Sequence, residues 1–149
     1  MTEQDVARRR IVVGVDGSPS SIDALRWAVE QAHAVGAVVE AVTAWQYPVS
    51  PGWTGTAAAD EYVLGIARKT LDSAIAEASD PEPPVRIGAR VVEAGAVPAL
   101  LEAARDAELL VVGSRGHGGF AGALLGSVSQ HCVQHAPCPV VVVRHREDR

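Results

Sequence analysis

Lysine is nearly missing from this 149-residue chain, where Lys69 is the only one. Lys and Arg together number 13 against 18 Asp and Glu, giving a formal net charge of -5. A chain of that balance lacks the basic footprint that a phosphate backbone requires, so nucleic acid is not an expected partner. The one basic cluster, Arg8, Arg9 and Arg10, reads as the solvated flank of a first strand. Cysteine is scarce as well. Cys132 and Cys138 do not make a disulfide framework and are expected to stay reduced in a cytosol. Long apolar runs are also missing: residues 41–59 and 116–143 contain no charged side chain, yet Pro, Gly, Gln or His interrupts both. Neither approaches the ~20 consecutive apolar residues of a membrane span. Residues 1–10 have no apolar stretch of signal-peptide length. The expectation is a soluble, cytoplasmic chain with no membrane partner.

What the chain does have is alternation. Strand-length apolar runs are separated by segments of 3.6-residue periodicity, the pattern of βα units on a parallel sheet. A first strand is expected at Ile11–Val15, ending in Asp16, Gly17, Ser18 and Pro19, where Ser18 suits a helix cap and Pro19 the first helical position. The helix that follows turns Ile22, Leu25, Ala28, Val29 and Ala32 inward and stops at Gly36. A second strand covers Val38–Trp45, and residues 46–56 read as a loop. A long helix keeps Val63, Ile66, Ala67, Thr70, Leu71, Ala74, Ile75 and Ala78 in register and ends before Pro81. A third strand is expected at Val85–Val92, then Gly95 and a helix from about Val97 with Leu100, Leu101 and Ala104 inward. The fourth strand is expected at Glu108–Val112 and the fifth at Pro139–Val143, whose four valines suit a strand buried on both faces. Residues 11–144 form one domain in this reading, with 1–10 a flexible flank and 145–149 a tail.

In an open parallel sheet the ligand site lies beyond the carboxyl ends of the strands, at the point where the strand order reverses. Two loops qualify: Gly14 to Ser18 after the first strand, and Gly113 to Ser127 after the fourth. The second is dense in glycine, which lets the backbone turn sharply and present N–H groups to an anion. It leads into a helix start where Ser127 to Gln130 has the spacing of a capping box. A phosphate there would meet a helix N-terminus and the Ser127 hydroxyl. The loop is not a Walker A sequence, and Gly14 to Ser18 is too short for the dinucleotide fingerprint.

The spacing Gly113-x2-Gly116-x9-Gly126-Ser127 resembles the ATP-binding motif of the universal stress protein family. The resemblance covers nearly the whole chain: Val13 to Ser18 at the first strand, Gly95-x2-Pro98, Val111 to Gly116, and Leu124 to Val128 leading into Pro139 to Val143. It implies a single doubly wound, Rossmann-like α/β domain with a five-stranded parallel sheet in the order 3-2-1-4-5 and helices on both faces. It implies that Gly14, Val15 and Ala44 flank an adenine and that Asp16 lies by the nucleotide, where it could hold Mg²⁺. Val112, Gly113, Gly116, Gly126, Ser127 and Val128 match the residues that hold ribose and phosphates. Arg115 and His117 lie within the loop, where either could approach a phosphate or point to solvent. The ligand implied is ATP, and the assembly implied is a homodimer through the last strand in a stress-response or signalling role. Cyclic AMP in the same pocket is the alternative, as is a nucleotide-independent dimeric interaction module.

Each residue also has a plainer reading. Asp16 can satisfy turn amides or cap the first helix, Ser18 is a cap before it is a ligand, and Val112 and Val128 are core residues in either case. His131, Cys132, His135 and Cys138 offer ligand types that zinc accepts, but adjacent His131 and Cys132 point to different sides of a helix. Packed cysteines and solvent-facing histidines are the preferred account. Catalysis finds little support: no carboxylate pair stands out, and Lys69 falls on the long helix away from the loops. The expectation is a binding protein with at most slow ATP hydrolysis. Trp53, in the loop after the second strand, is a candidate lid residue, with a packed surface loop as the other reading.

Overall fold

A computed structural model of the chain describes residues 9–46, 57–78, 84–115 and 125–145. The chain alternates as expected: β1 (Arg10–Gly14), α1 (Pro19–Val35), β2 (Val38–Trp45), α2 (Ala57–Ala78), β3 (Ile87–Glu93), α3 (Ala96–Ala103), β4 (Leu109–Gly113), α4 (Ser127–His135) and β5 (Val140–Val143). All five strands are parallel and lie in the order β3-β2-β1-β4-β5.

Period-two side-chain alternation divides the core in two. Ile11, Val13, Val39, Ala41 and Val111 face one way and bury Leu25, Ala28, Val29 and Ala32 of α1 with Leu71 and Ala74 of α2. Val12, Val42, Leu110 and Val112 face the other way, against Leu100 and Ala103 of α3 and Cys132 of α4. Local signals place α1 where the residue types require it. Ser18 is its N-cap and accepts from the Ser21 N–H, Pro19 occupies the first turn, and Gly36 closes it in the left-handed conformation at φ 73.

Several expectations need correction. β1 and β4 are each offset by one residue from the expected Ile11–Val15 and Glu108–Val112, and β5 begins at Val140, not Pro139. The third strand begins at Ile87, not Val85. Ile66 is 51% exposed, because α2 docks through Ala67, Leu71, Ala74 and Ala78, and Ile66 lies about 100° off that stripe. On α3 the buried set is Ala99, Leu100 and Ala103, with Leu101 only partly covered. The valines of β5 are all partly exposed, since β5 is the last strand of the sheet and has a neighbour on one side only.

At the amino-terminal edge of the sheet, Arg10 joins three elements. Its guanidinium donates to Glu40 Oε2 at 2.6 Å and to the carbonyls of Ala103 and Arg105, each at 2.8 Å, so it satisfies backbone acceptors at the end of α3. Beyond β5, His145 Nδ1 lies 2.6 Å from Asp23 Oδ2 and holds the chain against α1. No helix among the described residues is long and apolar enough to cross a membrane.

Candidate nucleotide site

β1 and β4 are neighbours, but the chain leaves β1 toward the α1 face and β4 leads to α4 on the other face. Their carboxyl ends therefore bound the crevice at which the strand order reverses. Six buried polar side chains stand out among the described residues: Ser18, Ser20, Ser21, Thr43, Ser114 and Ser129. All belong to this edge. Buried hydroxyls need partners: those of Ser18, Ser20, Ser21, Thr43 and Ser129 each have one, and Ser114 is tied in through its backbone N–H and carbonyl, so the edge is a polar framework in an otherwise apolar core.

The first side of the crevice is the β1–α1 turn. Gly14 ends β1 opposite Val42. Val15 donates its N–H to the Val42 carbonyl at 2.9 Å, and its own carbonyl accepts from the Thr43 hydroxyl at 2.8 Å. Asp16 Oδ1 accepts the Ser18 N–H at 2.8 Å, and the Asp16 N–H reaches Ser21 Oγ at 3.3 Å. The turn-amide reading of Asp16 is thus present in the structure. Gly17 adopts φ 85, which a side chain would strain. Ala44 lies half-buried on the adjacent strand, opposite Val92.

The second side is the end of β4. Ser114 donates its N–H to the Val143 carbonyl at 2.8 Å, while its carbonyl accepts the Gly126 N–H at 2.7 Å and the Ser129 hydroxyl at 3.1 Å. Those bonds bring the start of α4 back to the strand it left. They also correct the capping-box expectation: Gly126 is the N-cap, Ser127 is the first helical residue, and no side chain caps this end. Gly126 is drawn into extended geometry at φ -69, ψ 164 by its bond to Ser114, and Ser129 bonds the Gly126 carbonyl at 3.0 Å. Val112 is buried and Val128 packs against the α3 side of the core, as their core reading requires.

The two sides are stitched together. The Ser20 hydroxyl, on the first turn of α1, donates to the Arg115 carbonyl and accepts the Arg115 N–H at 3.3 Å. Gly113 makes the approach possible, since an added Cβ would lie 2.7 Å from the Ser20 carbonyl carbon. The structure thus brings together Gly14, Val15, Asp16, Val112, Gly113, Arg115, Gly126, Ser127 and Val128 around one edge. Gly116, His117 and Trp53 lie outside the described residues. Sequence reading missed Ser20, Ser114, Ser129 and Thr43. Their signal was hydroxyls at positions where the fold's period demands burial, such as Thr43 within an apolar strand.

The zinc-type residues separate. Cys132 is fully buried and Cys138 packs against the same core cluster. His131 and His135 face solvent with ring centroids 6.3 Å apart, and His131 Nδ1 lies 2.8 Å from the Ser127 carbonyl. No group of three or more potential metal ligands occurs among the described residues. Burial pushes both thiols up, and for Cys138 the charge of Arg10 and a backbone bond at Leu110 pull partly the other way. Because the thiolate is the reactive form, both cysteines should lag a free thiol at neutral pH and gain reactivity only as pH rises. Titration with a thiol reagent across pH 7–10 should find Cys138 modified first and Cys132 only on unfolding. Lys69 lines a groove of about 320 Å³ between α1 and α2, with Ile22, Ile66, Ser73 and Glu77.

A five-stranded parallel sheet with helices on both faces, its strand order reversing between β1 and β4, is a doubly wound α/β fold. Within that class the chain belongs to the universal stress protein family, whose model matches residues 7–144. A universal stress protein of Mycobacterium tuberculosis is 37% identical over 149 residues, a match covering 93% of this chain and 48% of that protein. One of Mycolicibacterium smegmatis is 37% identical over 145 residues, covering 94% and 47%. The chain spans about half the length of these curated relatives. Among solved structures, a universal stress protein in complex with cAMP superposes with a TM-score of 0.70 at 32% identity, covering 92% of this chain and 97% of that one. The Archaeoglobus fulgidus protein in complex with dAMP gives a TM-score of 0.64 at 25% identity, covering 91% and 97%.

Proposed function

We propose that this chain binds ATP in the crevice between the β1–α1 turn and the β4–α4 connection and acts as a dimeric stress-response or signalling module in the cytoplasm. The observation that carries the reading is the convergence of Gly14 to Asp16, Gly113 to Arg115 and the α4 start at Gly126 and Ser127 on one edge, held by the buried serines. In this reading Gly14, Val15 and Ala44 flank the adenine. Val112, Gly113, Gly116, Gly126, Ser127 and Val128 hold ribose and phosphates, and Arg115 approaches the phosphate charge. The uncapped amides at the start of α4 suit an anion. The complexes of relatives with cAMP and dAMP support an adenine ligand.

Mg²⁺ binds through few carboxylates plus substrate phosphates, and one exposed carboxylate in the β1–α1 turn, Asp16, fits that habit. The ion would be carried on the triphosphate and would offset its charge. In this reading Arg115 is the cation that offsets phosphate charge, Lys69 lying on α2. That supports binding with at most slow hydrolysis.

Titration calorimetry of nucleotide-stripped protein with Mg-ATP, AMP and cyclic AMP tests the reading. Mg-ATP should bind, and Ser127→Ala should weaken it about tenfold, the effect of losing one charge-assisted hydrogen bond. Preference for cyclic AMP would move the assignment to the second reading, which the cAMP-bound relative favours. Absence of binding by any of the three would leave the interaction module. What favours that module is the β5 edge, four partly exposed valines that pairing with a second copy would cover.

A further inference from the structure

We infer that Ser20 is a positioning residue for this site: it docks the Arg115 backbone onto α1 and so holds the Gly113–Arg115 end of β4, which the nucleotide reading places at the phosphates. The inference rests on the nucleotide reading above and adds to it a residue that no phosphate-loop pattern contains. Ser20 is 3% exposed and lies on the first turn of α1, far in sequence from β4. Its hydroxyl uses both of its capacities on one residue, donating to the Arg115 carbonyl and accepting the Arg115 N–H at 3.3 Å. Two bonds to one residue fix its backbone orientation better than one. Ser18 adds a longer contact, its hydroxyl 3.4 Å from the same carbonyl. The close approach of Gly113 to Ser20 fixes the neighbouring point two residues earlier.

Gly113 and Arg115 are the residues at this end of β4 that the nucleotide reading assigns to the phosphates, and their backbone is held to α1 through Ser20. Loss of the hydroxyl should leave the adenine wall, read as Gly14 and Val15 at the end of β1 with Ala44 of β2, in place. It should also release the phosphate-facing backbone, and the penalty should fall on phosphate affinity alone.

The test is calorimetry of wild type, Ser20→Ala and Ser20→Gly with Mg-ATP, and with adenosine by competition against Mg-ATP. Thermal melts would verify that each variant is folded, and Ser20→Gly serves if the alanine repacks. Mg-ATP should weaken about tenfold in both variants while adenosine changes less than about twofold. Parallel loss of ATP and adenosine would reduce Ser20 to a general structural role and overturn the inference, as would an unchanged ATP affinity. Failure of the wild type to bind any adenine nucleotide would overturn the site reading itself. That outcome is distinct from either variant result.

Discussion

Gly113→Ala is expected to lower the melting temperature by about 3–9 °C and to weaken nucleotide binding at the same time. The added Cβ would lie 2.7 Å from both the carbonyl carbon and Oγ of Ser20 and 2.9 Å from its carbonyl oxygen. Two of these three atoms are backbone of the first turn of α1, which is held at its start by Ser18 and along its length by the core. Relief requires moving the helix away from β4, an overpacking cost of about 1–3 kcal/mol, which at this chain length gives the stated shift. Moving α1 also pulls Ser20 off Arg115, so affinity falls because the backbone of Gly113 to Arg115, which the proposed site uses, is displaced.

Two other glycines calibrate the prediction. At Gly14 an added Cβ would come within 2.9 Å of Leu100 Cδ1, the end of a side chain that can tip aside, so Gly14→Ala should cost less than about 1.5 kcal/mol. At Gly65, on α2, nothing lies within 4 Å, and alanine should stabilise by about 0.5–1 kcal/mol through helix propensity. A thermal melt of the three variants gives the order directly. An unchanged melting temperature for Gly113→Ala would mean that the α1–β4 contact yields easily, and the coupling between the two loops would then be weak.

The elements were legible in the sequence wherever a local rule acted alone. Ser18, Pro19 and Gly36 bounded α1 because capping chemistry is decided within a few residues, and Val38–Trp45 was delimited by Gly36 before it and the proline-bearing loop after it. The errors came where a distant element decides. Whether the β5 valines are covered depends on where β5 falls in the strand order, which alternation within the strand does not encode. Ser127 has the residue types of an N-cap, but the Ser114 carbonyl draws in the Gly126 amide and shifts the cap by one residue. The candidate site divides the same way. Its glycines, Asp16 and Ser127 were visible as a spacing, whereas Ser20 acts through a partner 95 residues away and Ser129 reaches back 15 residues to Ser114.

The second large effect is placed at the opposite edge of the sheet, where Arg10→Ala should cost about 2 kcal/mol and leave nucleotide affinity unchanged. Arg10 is about three-quarters buried, with 24% of its side chain exposed, and its Glu40 partner is 20% exposed. The substitution strands the Ala103 and Arg105 carbonyls at the end of α3 and leaves Glu40 with Arg90, 3.4 Å away and 51% exposed. Partly buried bonds of this kind, made by a charged donor, are worth more than neutral ones. Arg10→Lys should recover little, because an ammonium lacks the planar fork that reaches three acceptors at once. Arg26 is the control: it also contacts two carboxylates, Asp23 and Glu77, but is 45% exposed, so Arg26→Ala should stay within about 0.5 kcal/mol. Urea unfolding would read both as shifts in midpoint at constant slope. A second readout comes from Cys138, whose thiol pKa the Arg10 charge lowers against the larger effect of burial. Without Arg10 that pKa rises further and alkylation of folded protein at pH 8 slows. Equal losses for the arginine pair would show that burial does not set the value of these ion pairs. A fall in nucleotide affinity with Arg10→Ala would show that the two edges of the sheet are coupled through α3 and β1.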